Sequence, residues 1–294
     1  MNLSHKRVSV KRAFSRNQVS VGRKGGSAIL AMAMIGCCVT IQGAEIHQAA
    51  ELGDLERVKA YLAQDPKQID LVDAAGRTVL ASAARSGKQE VVKFLLANGA
   101  TEDIFAAVIV GDIEKVAAFL KLDQNLVNAK DSDGRTPLHW AALYGQTKVI
   151  SLLLADKADV NSLDGDGFTP LHWATTFNRP DAVKLLLANK ADTNIKVPKY
   201  GWTPLRLAVI HGHIAAAEAL LNGGADPNVK DDENIPLLHQ AVIRGKKEMV
   251  ALLLDKNANV NAKDSDGETA MDEAVEQGNA EIIDLLRQRG AKRK

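Results

Sequence analysis

The sequence predicts an all-α solenoid of stacked helix pairs with a β-hairpin or turn edge, and three observations predict it. One phrase recurs: TPLHWAA at Thr136–Ala142, TPLHWAT at Thr169–Thr175, TPLRLAV at Thr203–Val209 and, eroded, PLLHQAV at Pro236–Val242 and TAMDEAV at Thr269–Val275. Downstream of the copies run apolar stripes of helical period, as in Val149, Ile150, Leu152, Leu153, Leu154 and again in Met249, Val250, Leu252, Leu253, Leu254. Between copies lies turn chemistry such as Asp131-Ser132-Asp133-Gly134-Arg135.

The recurring slot falls at Ala44, Thr78, Thr101, Thr136, Thr169, Thr203, Pro236 and Thr269, with intervals of 34, 23, 35, 33, 34, 33 and 33. TVLASAA at Thr78 keeps the phrase partly, and the units at Ala44 and Thr101 keep only the helix-pair pattern. This phrase at this period resembles the ankyrin repeat. The resemblance covers nearly all of the chain after the N-terminal segment. It implies an ankyrin-repeat domain over residues 45–294 of about seven to eight units, with no cofactor and no catalysis, serving to bind a partner protein.

Residues 1–44 read as a targeting segment. They hold seven Lys/Arg and no acid, and their apolar run Ala28–Ile41 is followed by Gln42-Gly43-Ala44. A basic start, a short apolar core and a small-residue exit describe a secretory signal, with cleavage near Gly43 or Ala44. The run is shorter than the ~20 residues a bilayer-spanning helix needs. Met34-Ile35-Gly36-Cys37 resembles a bacterial lipobox, which would make Cys37 a lipidated, membrane-tethering N-terminus. The Ser- and Arg-rich, acid-free stretch 1–27 also fits a transit peptide, so a periplasmic, a membrane-anchored and an organelle-targeted destination all stand.

Removing those seven cations from the total leaves 30 basic against 36 acidic residues, a net −6 for residues 45–294. That balance argues against nucleic acid as a partner, since phosphate binding needs a dense Lys/Arg face. The basic tail Lys292-Arg293-Lys294 reads as favourable charge at the end of the last helix. Residues 45–294 contain no cysteine, so no disulfide supports them.

In the unit beginning at Asp131, the hairpin turns at Gly134, Pro137 suits the first helical turn, and the first helix runs to about Tyr144. A second helix follows, with Thr147 as its expected cap. The 23-residue interval after Thr78 predicts a missing hairpin near residue 100, and the extra residue in Ile195–Trp202 predicts a longer one near Tyr200. Family members commonly end the second helix with a left-handed Gly, as at Gly99, Gly224 and Gly290; Lys157, Lys190 and Asn257 occupy that slot elsewhere, each Lys at a cost of about 1 kcal/mol. The last helix, near Ala280–Arg289, and the first unit, Glu45–Gln64, each offer a polar outer face, so the array is expected to be capped at both ends.

The recurring His139, His172 and His239 cannot share a metal, because units stack about 10 Å apart whereas zinc ligands lie near 2 Å from the ion. The resemblance gives this His a structural role, bonding backbone between units, with Arg206 and Asp272 replacing it elsewhere. Asp-Ser-Asp-Gly at Asp131 and Asp264 fails as a calcium loop, since Ala129 and Trp140 stand where the first copy needs Asp and Glu. No zinc-protease, serine-hydrolase or phosphate-loop motif is present.

The aromatic residues give the positive signal. All three Trp and two of three Tyr fall between residues 140 and 202. In the family, partner contacts come from hairpin tips and the ends of first helices. Phe168, Tyr200 and Trp202 match hairpin slots; Tyr144, Phe177 and His211 match first-helix ends; Trp140 and Trp173 fit either packing or binding. These eight form the expected protein-binding site on the concave face and hairpin edge.

Overall fold

The computed structural model describes residues 38–74 and 77–294, with side chains from Glu45 onward. Among the described residues sixteen α-helices follow one another in eight pairs. The first helices of the pairs are α1 Cys38–Leu52, α3 Val79–Arg85, α5 Ile104–Val110, α7 Pro137–Tyr144, α9 Pro170–Thr176, α11 Pro204–His211, α13 Leu237–Ile243 and α15 Ala270–Gln277. Their partners are α2 Leu55–Gln64, α4 Gln89–Ala97, α6 Ile113–Leu122, α8 Thr147–Ala155, α10 Pro180–Ala188, α12 Ile214–Asn222, α14 Lys247–Asp255 and α16 Ala280–Gln288. From α3 onward first helices pack on first helices, and second helices pack on second helices from α2 to α4 and again from α6 onward. α1 begins before residue 44, so the boundary read there falls inside a helix.

Stacking seals the stripes. Val149, Ile150 and Leu153 of α8 are buried, as are Ala182, Val183 and Leu186 of α10 and Met249, Val250 and Leu253 of α14. Each recurs one unit on, so a single core runs the length of the described array. Leu152 and Leu185 pack against it from its margin.

Among the described residues the hairpin edge contains no extended strand. It consists of tight turns closed by isolated antiparallel bridges, Val72 with Thr78, Val197 with Trp202, Lys230 with Pro236 and Lys263 with Thr269. The hairpins at Asp131 and Asp164 close through Asp131 N–H to Arg135 O at 3.0 Å and Asp164 N–H to Phe168 O at 2.9 Å. Only Thr101, Glu102 and Asp103 separate Ala100 from α5.

Two details differ from the sequence reading. Thr147 is the first residue of α8 rather than its cap, and Gln146 precedes it without a capping side-chain bond. The recurring slot read at Thr101 falls at Asp103 instead, which caps α5, its carboxylate accepting from Ala106 N–H. Thr101 instead gives its N–H and hydroxyl to Asp70 of the preceding unit, at 2.7 and 2.8 Å. The shortest interval therefore ends where an Asp can cap the next helix.

Lys157, Lys190 and Asn257 adopt φ of 69°, 67° and 66° at the ends of second helices. Asn178 and Asn234 are left-handed as well, at the end of α9 and in a hairpin. Asn enters this region at smaller cost than Lys because its short polar side chain bonds locally.

Candidate protein-binding face

The face is built outward from the start of each first helix. Thr136 N–H donates to His139 Nδ1 at 3.0 Å, and His139 Nε2 reaches Phe168 O of the next hairpin at 3.0 Å. An Nδ1 that accepts a backbone N–H carries no proton, so Nε2–H is the donor and the ring is neutral. His172 repeats this, taking Thr169 N–H at 3.1 Å and donating to Trp202 O at 3.3 Å. Burial holds its imidazole down at about 4, and burial lowers His139 and His239 too. Arg206 takes over the role in α11, donating to Ile235 O at 3.1 Å and pairing with Asp231.

These links fix each hairpin against the helix before it. A second link ties the hairpin to its own helix. Asp131 Oδ1 accepts Asp133 and Arg135 N–H, and its Oδ2 accepts the Trp140 indole N–H at 2.9 Å. Asp164 does the same with Asp166, Phe168 and Trp173, the indole bond being 2.8 Å. The acidic turn that resembles a cation loop thus spends its carboxylate on its own backbone and one indole. No cluster of three or more His, Cys, Asp or Glu among the described residues could hold a metal.

With the indoles fixed, the other rings stack on them. Tyr144 lies against Trp140 with ring centres 6.3 Å apart, and Phe177 against Trp173 at 5.7 Å, both one helical turn on and nearly parallel. Phe168 packs at 5.9 Å on Trp173 and edge-on to His172 at 5.7 Å. Tyr200 and Trp202 stack at 4.5 Å within the longer hairpin. The Arg135 guanidinium lies 5.1 Å from Trp140 and 4.5 Å from Trp173, joining the two units.

The eight residues read from sequence divide by exposure. Trp140 is 3% exposed and belongs to the core, so its ring offers no contact surface. Tyr144 is half-buried, and its hydroxyl donates to Ala84 O two units back. Burial raises that phenol to about 12. Phe168, Trp173 and Trp202 are half-buried, while Phe177 at 43% and Tyr200 at 38% are exposed. His211 is exposed but stacks at 5.5 Å on His213, apart from the other rings. Cys37 lies outside the described residues.

Sequence reasoning passed over Arg135, Asp131 and Asp164 as parts of this face. The available signal was the nine-residue spacing from Asp131 to Trp140, repeated from Asp164 to Trp173.

A family profile described as ankyrin repeats in three copies matches residues 46–164, 104–197, 163–231 and 223–293. The chain belongs to the ankyrin-repeat family. Ankyrin repeats are, in general, non-catalytic modules for protein–protein interaction. This ankyrin-repeat chain is 30% identical over 205 residues to the Ankyrin repeat protein nuc-2 of Neurospora crassa, covering 67% of this chain and 16% of that protein. It is 29% identical over 116 residues to the Probable E3 ubiquitin-protein ligase XBOS31 of Oryza sativa subsp. japonica, covering 36% of this chain and 26% of that one. The chain thus spans a minor part of each relative's length, and the match to the ligase takes in about a third of this chain.

Proposed function

We propose that this ankyrin array is a non-catalytic docking module whose partner protein lies across Phe168, Trp173, Phe177, Tyr200 and Trp202. The observation that carries the reading is the exposure of Phe177 and Tyr200 on rings already held in place by Trp173 and Trp202. Aromatic rings clustered at an exposed position are suited to contact, and Trp and Tyr are among the residues that most often anchor interfaces. Their stacking and the indole bond to Asp164 remove rotamer freedom before binding, so little side-chain entropy is lost on contact. Trp140, with Tyr144 stacked on it, adjoins this surface through Arg135, which lies against both indoles.

We further propose that residues 1–44 direct a bacterial chain out of the cytoplasm to the periplasm. Their seven cations without an acid, followed by Ala28–Ile41, support that reading. Cleavage near Gly43 or Ala44 would retain Ile46, His47, Ala49 and Ala50, the buried residues of α1. A second reading, tethering through lipid on Cys37 as a membrane scaffold, is favoured by Met34-Ile35-Gly36-Cys37. Among the described residues no helix is long and apolar enough to cross a membrane. Mass spectrometry of the natural N-terminus separates these destinations. A chain starting near Glu45 supports export, a diacylated Cys37 supports the tether, and a cut before Ala28 in an organelle extract points to a transit peptide.

The docking reading is tested by Phe177→Ala with Tyr200→Ala in the full chain. Loss of the natural complex with unchanged melting supports it; an intact complex contradicts it.

A further inference from the structure

The links between units are regular except at one place. The residue three beyond the recurring slot of each unit normally reaches the following loop: His47 to Arg77 O at 2.9 Å, His139 to Phe168 O, His172 to Trp202 O, Arg206 to Ile235 O and His239 to Glu268 O at 3.0 Å. In the last unit Asp272 accepts Lys294 N–H at 3.0 Å. In α3 and α5 that position is Ala81 and Ala106, whose side chains have nothing to donate. The hairpin that should separate these two helices is also missing, since only three residues lie between Ala100 and α5. A recess opens there, lined by Arg77, Ala81, Phe105, Ala106, Ile109 and Trp140.

Two contacts reach over the α5 unit instead. Arg85 Nη1 meets Asp133 Oδ2 at 2.5 Å, and the Tyr144 hydroxyl donates to Ala84 O. Both connect α3 and its surroundings to the unit of α7, skipping α5. Next-neighbour bonds remain between the units of α5 and α7, from Gln146 Nε2 to Ile109 O at 3.2 Å and from Asp159 N–H to Asn128 Oδ1 at 2.9 Å, whereas Thr101 at the end of α4 bonds back to Asp70 of the first unit. None of these connects a helix to the hairpin row.

We propose that the α5 unit is a joint in the array, and that Arg85–Asp133 and Tyr144–Ala84 form a latch across it. With the latch released, the block from Ile46 to Ala97 opens as one unit while α9 to α14 stay folded. Each unit of a repeat array is stabilised by its neighbours alone, so the junction with the fewest links opens first. Arg85 and Asp133 are each about one-third exposed, which makes their contribution modest and salt-sensitive. Because Tyr144 is also part of the aromatic stack, the latch adjoins the docking face.

Native-state hydrogen exchange on the full chain tests this, read separately over residues 46–97 and 170–255. The block 46–97 should exchange through a less costly opening. Arg85→Ala should speed its exchange about five-fold, the effect of a partly exposed pair, and leave 170–255 unchanged. Tyr144→Phe, which keeps the ring and removes the hydroxyl, should act in the same direction. Equal openings in both segments of the parent chain, or Arg85→Ala changing both segments alike or neither, would overturn the joint.

Discussion

The Asp164 carboxylate accepts the indole N–H of Trp173 at 2.8 Å while its other oxygen closes the hairpin that holds it. One buried side chain thus sets the turn and orients the ring at the centre of the aromatic stack. Replacing Asp164 with Ala leaves two backbone N–H groups and the indole without their acceptor. The expected loss is about 2–4 kcal/mol, with a red shift of Trp fluorescence before unfolding. Urea unfolding followed by fluorescence checks both; an unchanged midpoint and spectrum would show that the carboxylate orients nothing.

Pro236 occupies the slot that Thr fills in the neighbouring units, and it has no N–H to give His239 Nδ1. That nitrogen is buried without a partner. The Pro236 φ of −66° is one that Thr also adopts. Pro236→Thr should therefore raise stability by about 1 kcal/mol, the cap and the restored bond outweighing the added entropy of the unfolded chain. Calorimetry would show a higher Tm, and a lower one would mean that the bridge to Lys230 needs the proline.

Leu153 is fully buried between neighbouring units. Leu153→Ala should cost about 2–5 kcal/mol through the cavity it leaves. A loss below ~1 kcal/mol in equilibrium unfolding would contradict a core sealed only by stacking.

Acid should loosen the array from a pH set by histidine. His172 is held at about 4 by burial, against an ordinary value of 6.5. Below 6.5 the unfolded chain takes up a proton that the folded ring refuses, so stability is full above 6.5 and falls as the pH drops toward 4. His139 and His239 are lowered also and act with the same sign. Taken to completion, the His172 contribution is about 3 kcal/mol. Asp272 follows at lower pH: burial pushes its carboxyl up, but bonds from Thr269, Lys294 and Arg293 bring it to about 2. Its stabilisation, present above the unfolded carboxylate range, is lost as the pH falls through 2. Tm measured from pH 7.5 down to 4.5 should decline, and a flat profile would contradict the neutral, doubly bonded rings.

The helix pairs were legible because a phrase and a stripe repeat, and a repeat of period near 33 that cannot bury its own stripe must stack. The left-handed Lys157, Lys190 and Asn257 were legible as well, since their slot is Gly in other units. What the sequence hid was long-range geometry. Arg135 looks like a turn residue, and only stacking places it between Trp140 of its own unit and Trp173 of the next. Tyr144 looks like a free first-helix end, and only the missing hairpin lets it reach Ala84. The tail Lys292–Lys294 looks like charge on a helix end. It folds back instead, with Lys292 and Lys294 N–H on Asn261 and Asp272.

Photo-crosslinking in the native cell tests the docking face most directly. A photoreactive residue placed at Phe177 or Tyr200 of the full chain is compared with one at Lys148 or Glu218, exposed positions on the second helices α8 and α12. The account predicts a discrete protein adduct from 177 and 200 and none from 148 or 218. Adducts from the second helices alone would contradict it.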